Sequence, residues 1–247
     1  MARRRTTLVS DAVEYIRKMI LTYALKPGAP ISDNKIALEM TEQLRLNISR
    51  SPVREALMIL QAEGLVESID GKVCVARITD RDVFEICQVR DAIEQQAVVI
   101  CTEKGGFTQE QKRHFKMLYD ELVETNEAHN DNEEYLIDDE FHMYLIRCTD
   151  NMRLIEIGAR MCNQMKRVRW LNMISFNRRE AANQEHQMIL KAILEDNDRE
   201  ALNAIHMHNT NIHKNFQRIF ESDELKTAFV CLLNEQGNQK GKRTNGG

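Results

Sequence analysis

Three histidines and one aspartate in the second half of the chain have the types and spacing of a metal site. Asp138 and His142 are four residues apart, so on a helix they project from one face. Leu145 shares that face, which directs the pair towards a core. His186 and His208 also share helix faces with apolar residues. The pattern predicts four core-facing ligands on three separate helices.

A lone histidine on such a face is more often a core residue with an ordinary hydrogen bond than a metal ligand. Four buried ionisable groups together need partners, because each is costly when buried alone. Their three nitrogens and one oxygen suit zinc, nickel or manganese. We predict one divalent ion per chain, with zinc as the first choice and one or two positions open for water or a carboxylate. The remaining histidines are given no role: His114, His129, His206 and His213.

Two arginines in the first half could bind nucleic acid. They lie in the stretch "NISRSPVREALMILQAEGLV", where Arg50 and Arg54 flank Ser51-Pro52. Ser51 is suited to cap a helix, and Pro52 fits its first position. The apolar spacing that follows buries the opposite face and leaves both arginines in solvent. By itself this could be an ordinary solvated surface stripe.

The elements around these arginines decide between the two interpretations. Helical patterns cover residues 9–24 and 33–43, and a third helix ends near Gly64. Two β-prone runs follow, joined by Asp70-Gly71, which is the strongest short hairpin signal. Three helices and a hairpin are the plan of a winged helix-turn-helix, whose third helix enters the DNA major groove. Arg50 and Arg54 would then reach guanines or phosphates, with Gly71 and Lys72 at the wing tip. The N-terminal "ARRR" would be a phosphate-binding arm or a disordered tail.

The chain from Asp80 onward has only helical patterns. Segments are predicted near 80–104, 108–129, 133–149, 151–175, 178–196 and 198–220, with a weaker one at 222–235. The predicted fold class is mostly α, an N-terminal winged helix-turn-helix followed by an all-α helical bundle. The domains would be 1–78 for DNA binding and 79–236 for the helical bundle, with 237–247 a disordered tail.

Composition places few further limits on function. The 247 residues carry a net charge of −4, yet residues 1–75 carry +2 and the rest −6, which mildly favours a DNA-binding N-terminal half. Six cysteines without C-x-x-C spacing indicate reduced core thiols. No apolar run approaches membrane-spanning length and no secretory pattern follows the first residues, so we expect a cytoplasmic protein.

The sequence resembles the GntR family of bacterial transcription regulators, in its FadR-like branch with an FCD-type ligand-sensing domain. The resemblance covers residues 8–220 and rests on "SRSPVREAL" with "ILQAEGLVE" for the recognition helix. In the second half it rests on "DDEFH" (138–142), on "EH" (185–186) and on the spacing from His186 to His208.

The resemblance implies further site residues and partners. Lys35, Ser49 and Ser51 would join the two arginines and the wing at a two-fold symmetric DNA operator. The FCD-type domain would form most of a homodimer and bind a small organic acid, with one carboxylate on the metal. We expect that ion to be the only strong positive charge in the buried region. Arg90 matches a position near the effector, although a salt bridge to Glu94 is an equal alternative, and Arg160 and Arg167 are weaker candidates.

Two departures from the family pattern affect the DNA-binding half. A family arginine before the second helix is replaced by Asn34, with Lys35 beside it. The segment "TEQLRLNIS" is also longer than the family's tight turn, so the second helix could be extended by Glu42 to Leu46 or the turn could bulge. We expect the extension, because Leu44 continues that helix's apolar face.

Three functions remain open from the sequence. The first is a ligand-responsive, homodimeric DNA-binding regulator that is not an enzyme. The second is a metalloenzyme using the aspartate and histidines, although the chain has no H-E-x-x-H motif and no Gly-rich phosphate loop. The third is a regulator whose metal only stiffens the bundle.

Overall fold

The computed structural model describes residues 2–128, 131–172 and 176–222. They divide into two compact units, one up to Thr79 and one from Asp80. Within these described ranges, none of the helices is long and apolar enough to cross a membrane.

The first unit has three helices and a two-stranded antiparallel sheet, as predicted for a winged helix-turn-helix. These are α1 (Ala2–Leu21), α2 (Asp33–Leu44), α3 (Arg50–Ala62), β1 (Val66–Ile69) and β2 (Lys72–Val75). Helix α1 starts earlier than predicted and includes the "ARRR" segment, so the alternative of a disordered basic tail is wrong. Apolar faces of all three helices meet in one core, which includes Ile16, Met40, Val53, Leu57 and Leu60.

Helix α3 ends as predicted but starts two residues earlier. Gly64 takes the left-handed φ of +75° that terminates the helix, and the Leu65 amide donates back to the Leu60 carbonyl. The N-cap is Ser49 rather than Ser51, so the prediction for Ser51 is wrong. Pro52 therefore occupies the third helical position, where a missing N–H is still harmless because the first-turn amides have no partner inside the helix.

Helix α2 is extended as expected, but only to Leu44, two residues short of the predicted Leu46. The apolar face proposed as the cause was wrong at Leu44, which is 47% exposed rather than buried. The helix stops where Arg45 adopts a left-handed φ of +54°. The chain then returns its apolar side chains to the core through Leu46 and Ile48.

The wing is a tight hairpin supported by a third segment. Ile69 pairs with Lys72, so Asp70 and Gly71 form a two-residue turn in which both have positive φ. Residues 28–31 also bond to β2, since the Ile31 amide donates to the Val73 carbonyl over 2.8 Å. This pairing, which the sequence patterns did not indicate, holds the base of the wing.

The second unit is an all-α bundle, as predicted. Its helices are α4 (Asp80–Glu103), α5 (Gln109–Ala128), α6 (Asp131–Arg147), α7 (Met152–Asn172), α8 (Phe176–Leu194) and α9 (Asp198–Glu221). Helix α9 packs against α4 and α8, and α5 packs against α6 and α8 around a shared apolar core. The predicted helix at 222–235 and the tail at 237–247 lie outside the described residues, apart from Ser222.

Five of the six cysteines are free buried thiols, in agreement with the prediction, and the sixth, Cys231, lies outside the described residues. Burial raises the pKa of Cys87, Cys101 and Cys162 to about 11 and that of Cys148 to about 12. These thiols are therefore protonated at neutral pH and behave as small apolar core residues.

Candidate metal centre and nucleic-acid interface

The start of α3 presents Arg50 and Arg54 to solvent. Their side chains are 54% and 62% exposed, and they project from the face opposite the buried Val53 and Leu57. Both guanidinium groups contact the carboxylate of Asp33, the first residue of α2. Although partial burial opposes the shift, hydrogen bonds from Arg54 and Arg50 lower the pKa of Asp33.

The other residues predicted to contact DNA are also exposed on the first unit. Lys35 is 76% exposed and lies 3.7 Å from Glu39. Ser49 and Ser51 lie at the start of α3, where the Ser51 hydroxyl is 3.4 Å from the Glu55 carboxylate. Gly71 and Lys72 are exposed at the wing tip. Their roles in DNA binding stay predictions.

Asp138, His142, His186 and His208 converge inside the second unit. Nε2 of His186 lies 3.3 Å from Nε2 of His142 and 3.2 Å from Nε2 of His208. Oδ1 of Asp138 lies 3.0 Å from the His142 Nε2 and 3.4 Å from that of His186. Metal–ligand bonds of ~2.0–2.1 Å place neighbouring tetrahedral ligands ~3.3 Å apart, so this spacing fits a zinc-sized ion. The three histidines are buried, and together they form a group that could hold a metal ion.

A buried carboxylate orients His208. Nδ1 of His208 lies 2.8 Å from Oε2 of Glu185, whose two oxygens also accept bonds from both terminal nitrogens of Arg178. Burial by itself would raise the pKa of Glu185, but the hydrogen bonds from His208 and Arg178 lower it to about 2. Glu185 is therefore ionised at neutral pH, and the Nδ1 proton of His208 points at it. A carboxylate behind a histidine is the usual support for a metal-binding imidazole.

His142 has a matching carboxylate on the other side of the cluster. Its Nδ1 lies 2.8 Å from Oε1 of Glu94, and the same oxygen accepts a bond from Nε of Arg90 over 2.7 Å. Against the effect of burial, Arg90 and then His142 lower the pKa of Glu94 well below its usual range. The salt bridge from Arg90 to Glu94, one of the two predicted alternatives, is therefore present.

The protonation pattern explains why this cluster suits a cation. The carboxylates beside Nδ1 of His142 and His208 favour a proton on that nitrogen, which leaves a lone pair on each Nε2, close to Nε2 of His186. Burial lowers the pKa of His208 to about 4 and that of His186 well below its usual value, so both rings are neutral at neutral pH. Neutral imidazoles are the form that binds a metal. A divalent cation would relieve the repulsion between these acceptors.

The sequence patterns did not indicate the partners behind the candidate ligands. Glu94 and Glu185 each lie between a histidine and an arginine. The two arginines, Arg90 and Arg178, are buried, so the expectation that a metal ion would be the only strong positive charge in this region was wrong. The EH pair at 185–186 was visible, but only the fold shows that Glu185 serves His208 rather than its neighbour. Among the weaker effector candidates, Arg167 is buried and Arg160 is exposed beside Glu156.

The histidines without a predicted role lie elsewhere. His206 is 67% exposed and pairs with Asp91, whereas His213 lies 3.5 Å from Asp80. His114 lies 3.6 Å from Glu140. His129 is outside the described residues. The described three each lie near a carboxylate outside the cluster, and the assignment of no role to them stays a prediction.

Comparison with known families divides the chain at the same place. The family profile of bacterial regulatory proteins, gntR family, matches residues 8–75, and that of the FCD domain matches residues 85–211. The matches therefore cover both the arginine-bearing α3 and all four residues of the candidate metal site.

Individual relatives and solved structures agree with these profiles. The chain is 27% identical over 198 residues to the HTH-type transcriptional regulator YdhC of Bacillus subtilis, covering 78% of this chain and 84% of that protein. It is 23% identical over 184 residues to the HTH-type transcriptional repressor RspR of Escherichia coli, covering 72% and 75%. Its fold is similar to a putative transcriptional regulator GntR from Rhodococcus sp. RHA1, with a TM-score of 0.68 at 19% identity over 85% of this chain and 97% of that one. Escherichia coli McbR/YncC gives a TM-score of 0.64 at 19% identity, over 94% and 99%.

Proposed function

Because this chain belongs to the gntR family of bacterial regulatory proteins and carries an FCD domain, we propose that it is a transcription regulator whose DNA affinity is set by a small carboxylate bound at a metal centre. DNA binding and transcription regulation follow from the family itself. The effector, the metal and the homodimer belong to the proposal. As a DNA-binding protein it would act in the cytoplasm, where bacterial DNA is found.

We assign DNA binding to residues 1–78 and sensing to residues 79–236. In the first unit, Arg50 and Arg54 would contact bases or phosphates in the major groove. Lys35, Ser49 and Ser51 would support them, with Gly71 and Lys72 of the wing on the neighbouring backbone. The exposure of both arginines on α3 supports this assignment.

The metal site is the observation that carries the sensing half of the proposal. Asp138, His142, His186 and His208 would hold one divalent ion, zinc in preference to nickel or manganese. The ion would supply positive charge and an open position for an anionic ligand. The spacing of the four ligand atoms and the two buried carboxylates behind the imidazoles support this role.

The charge balance around the cluster favours an anion as the effector. Among the groups joined to the cluster directly or through one glutamate, Arg90 and Arg178 contribute two positive charges, whereas Glu94, Glu185 and Asp138 contribute three negative ones. A divalent ion changes the sum of −1 to +1, and one carboxylate brings it to zero. Buried charge is most stable when it is balanced, so a monocarboxylate group fits this site.

Arg90 is the residue that we propose for the other end of the effector. It is 2% exposed, and its Nη2 has no hydrogen-bond partner among the described residues, although Nε is paired with Glu94. A buried guanidinium nitrogen without an acceptor is costly, and a ligand oxygen would satisfy it. The salt bridge and the effector contact are therefore compatible.

The two alternatives have less support. The matching relatives are transcription regulators rather than enzymes, which speaks against a metalloenzyme. A purely structural metal would stabilise the bundle without an effector, and it differs from our proposal in one measurable way: ligands would not add to the stability of the metal-loaded protein.

A thermal-shift screen of small carboxylates on metal-loaded protein tests the proposal. We expect the metal to raise the melting temperature, and at least one carboxylate to raise it further and to change binding to DNA from upstream of the protein's own gene. A ligand changes that equilibrium only if it binds the two arrangements of the protein with different affinity. Stabilisation by metal alone, with no carboxylate response from a broad panel, would favour the structural alternative.

A further inference from the structure

The contact between α2 and α3 at the predicted DNA surface points to a role for Asp33. Its carboxylate lies between the two exposed arginines, and its side chain is only 16% exposed. The first turn of α2, which carries Asp33, is held in place in two ways. Ser32 caps the helix by accepting a bond from the Lys35 amide, and Ile36 and Met40 are buried in the core. A rigid anion thus touches both cations predicted to bind DNA.

The two arginines use Asp33 in different ways. Arg50 donates from Nε to Oδ2 over 3.3 Å and from Nη2 to both carboxylate oxygens over 3.2 Å, so one side of its guanidinium is engaged. Arg54 donates to Oδ2 from Nε. Because this contact uses Nε, it leaves the two terminal nitrogens of Arg54 available for another acceptor. That pair is the fork that matches O6 and N7 of guanine.

We propose that Asp33 is a positioning and specificity residue, which holds Arg54 in the orientation that reads a guanine and restrains both arginines from binding phosphates without regard to sequence. The proposal rests on the proposed DNA-binding role of α3. A carboxylate near the DNA backbone opposes loose electrostatic binding, because it cancels part of the positive charge that attracts phosphates. On a matching site the arginines can bind DNA while they remain paired with the carboxylate. The loss of electrostatic affinity therefore falls mainly on DNA of other sequences.

The lowered pKa of Asp33 agrees with this role, because the carboxylate is ionised throughout the neutral range. Glu42 offers a matched control for its charge. It lies on the same helix and is exposed, and its position nine residues after Asp33 places it about 13 Å further along the helix axis, at ~1.5 Å per residue.

The test starts with selection of duplexes from a random DNA library by the full-length wild-type protein. Binding is then measured for the enriched duplex, for the same duplex with each guanine pair replaced, and for a scrambled duplex at several salt concentrations. The variants are Asp33→Asn, Asp33→Ser, the control Glu42→Gln, and Arg54→Ala alone and combined with Asp33→Asn. Melting curves for each variant verify that it is folded.

For Asp33→Asn and Asp33→Ser we expect the ratio of enriched to scrambled affinity to fall at least about fivefold per half-site, as for loss of an oriented arginine–guanine pair. The salt dependence on scrambled DNA should steepen by up to roughly one unit if a freed arginine gains a phosphate. Glu42→Gln should leave the ratio unchanged. In the Arg54→Ala background, Asp33→Asn should have little further effect on discrimination, because the residue acts through Arg54.

A ratio of enriched to scrambled affinity that is unchanged in both folded Asp33 variants would overturn the proposal, whether the two affinities are retained or fall equally. Such a result would not contradict the proposed DNA-binding function. Failure of the wild-type protein to enrich any sequence would instead overturn the proposed function, and the role of Asp33 with it.

Discussion

At the residue scale, His186 is the proposed ligand whose loss is easiest to interpret, because its Nε2 lies between those of His142 and His208. We expect His186→Ala to lower metal content and to weaken the effector response, while DNA binding without effector is largely retained. Elemental analysis of protein purified without chelator or an affinity metal measures the first effect. His206→Ala, which changes an exposed histidine outside the cluster, is the control. Equal metal content in both variants would contradict the site.

Arg54 provides a second prediction at this scale. Arg54→Ala should cost ~1–3 kcal/mol in binding to the enriched operator if the side chain reads a base edge. The fold should be unaffected, because the side chain is 62% exposed and surface ion pairs contribute little to stability. Titrations at matched salt measure the loss, with the exposed Arg81→Ala in α4 as control. Operator affinity equal to that of the wild type would show that α3 is not the recognition helix.

At the scale of elements, the packing of α7 against α6 depends on the missing side chain of Gly158. A helical Gly→Ala change normally adds about 1 kcal/mol of stability. A Cβ at this position would lie 2.7 Å from Cδ1 of Ile146, which is only 1% exposed and cannot move freely. Overpacking costs roughly 1–3 kcal/mol, so it should outweigh the gain in helix propensity.

We therefore expect Gly158→Ala to lower the free energy of unfolding, measured by urea denaturation. Ile146→Val removes the Cδ1 atom that would collide. In the Gly158→Ala background this second change should recover part of the stability, whereas in the wild type it should cost about 1 kcal/mol. A Gly158→Ala protein more stable than the wild type would mean that the two helices separate easily.

At the scale of the whole molecule, we predict a homodimer formed mainly by residues 80–220. This unit carries large apolar side chains that are exposed in the single chain, which are Phe84, Val89, Met117, Met152, Ile157, Met188 and Met207. A symmetric dimer would bind a two-fold symmetric operator. Sedimentation at micromolar concentration should give a dimer for the full chain and a monomer for residues 1–78. A stable dimer of that fragment would contradict the prediction, because the interface would then lie in the first unit.

The sequence by itself determined the order of the elements and identified the four residues of the candidate metal site. Helix and strand order followed from local patterns, since apolar spacing and the turn at Asp70-Gly71 act over a few residues. His142, His186 and His208 were identified because each lies on the buried face of its own helix. One error arose where neighbouring residues offer the same local signal, since Ser49 rather than Ser51 is the N-cap of α3.

Only the tertiary structure decided what stands beside those residues. The carboxylates of Glu94 and Glu185 lie behind His142 and His208, and Asp33 lies between the two arginines of α3. In each case the partners are on different helices, and no spacing in the sequence links them. Helical periodicity states which face a residue occupies, but it carries no information on which other helix that face meets. That choice depends on the packing of all the apolar faces together, and so the partners that set charge and orientation appear only in the folded chain.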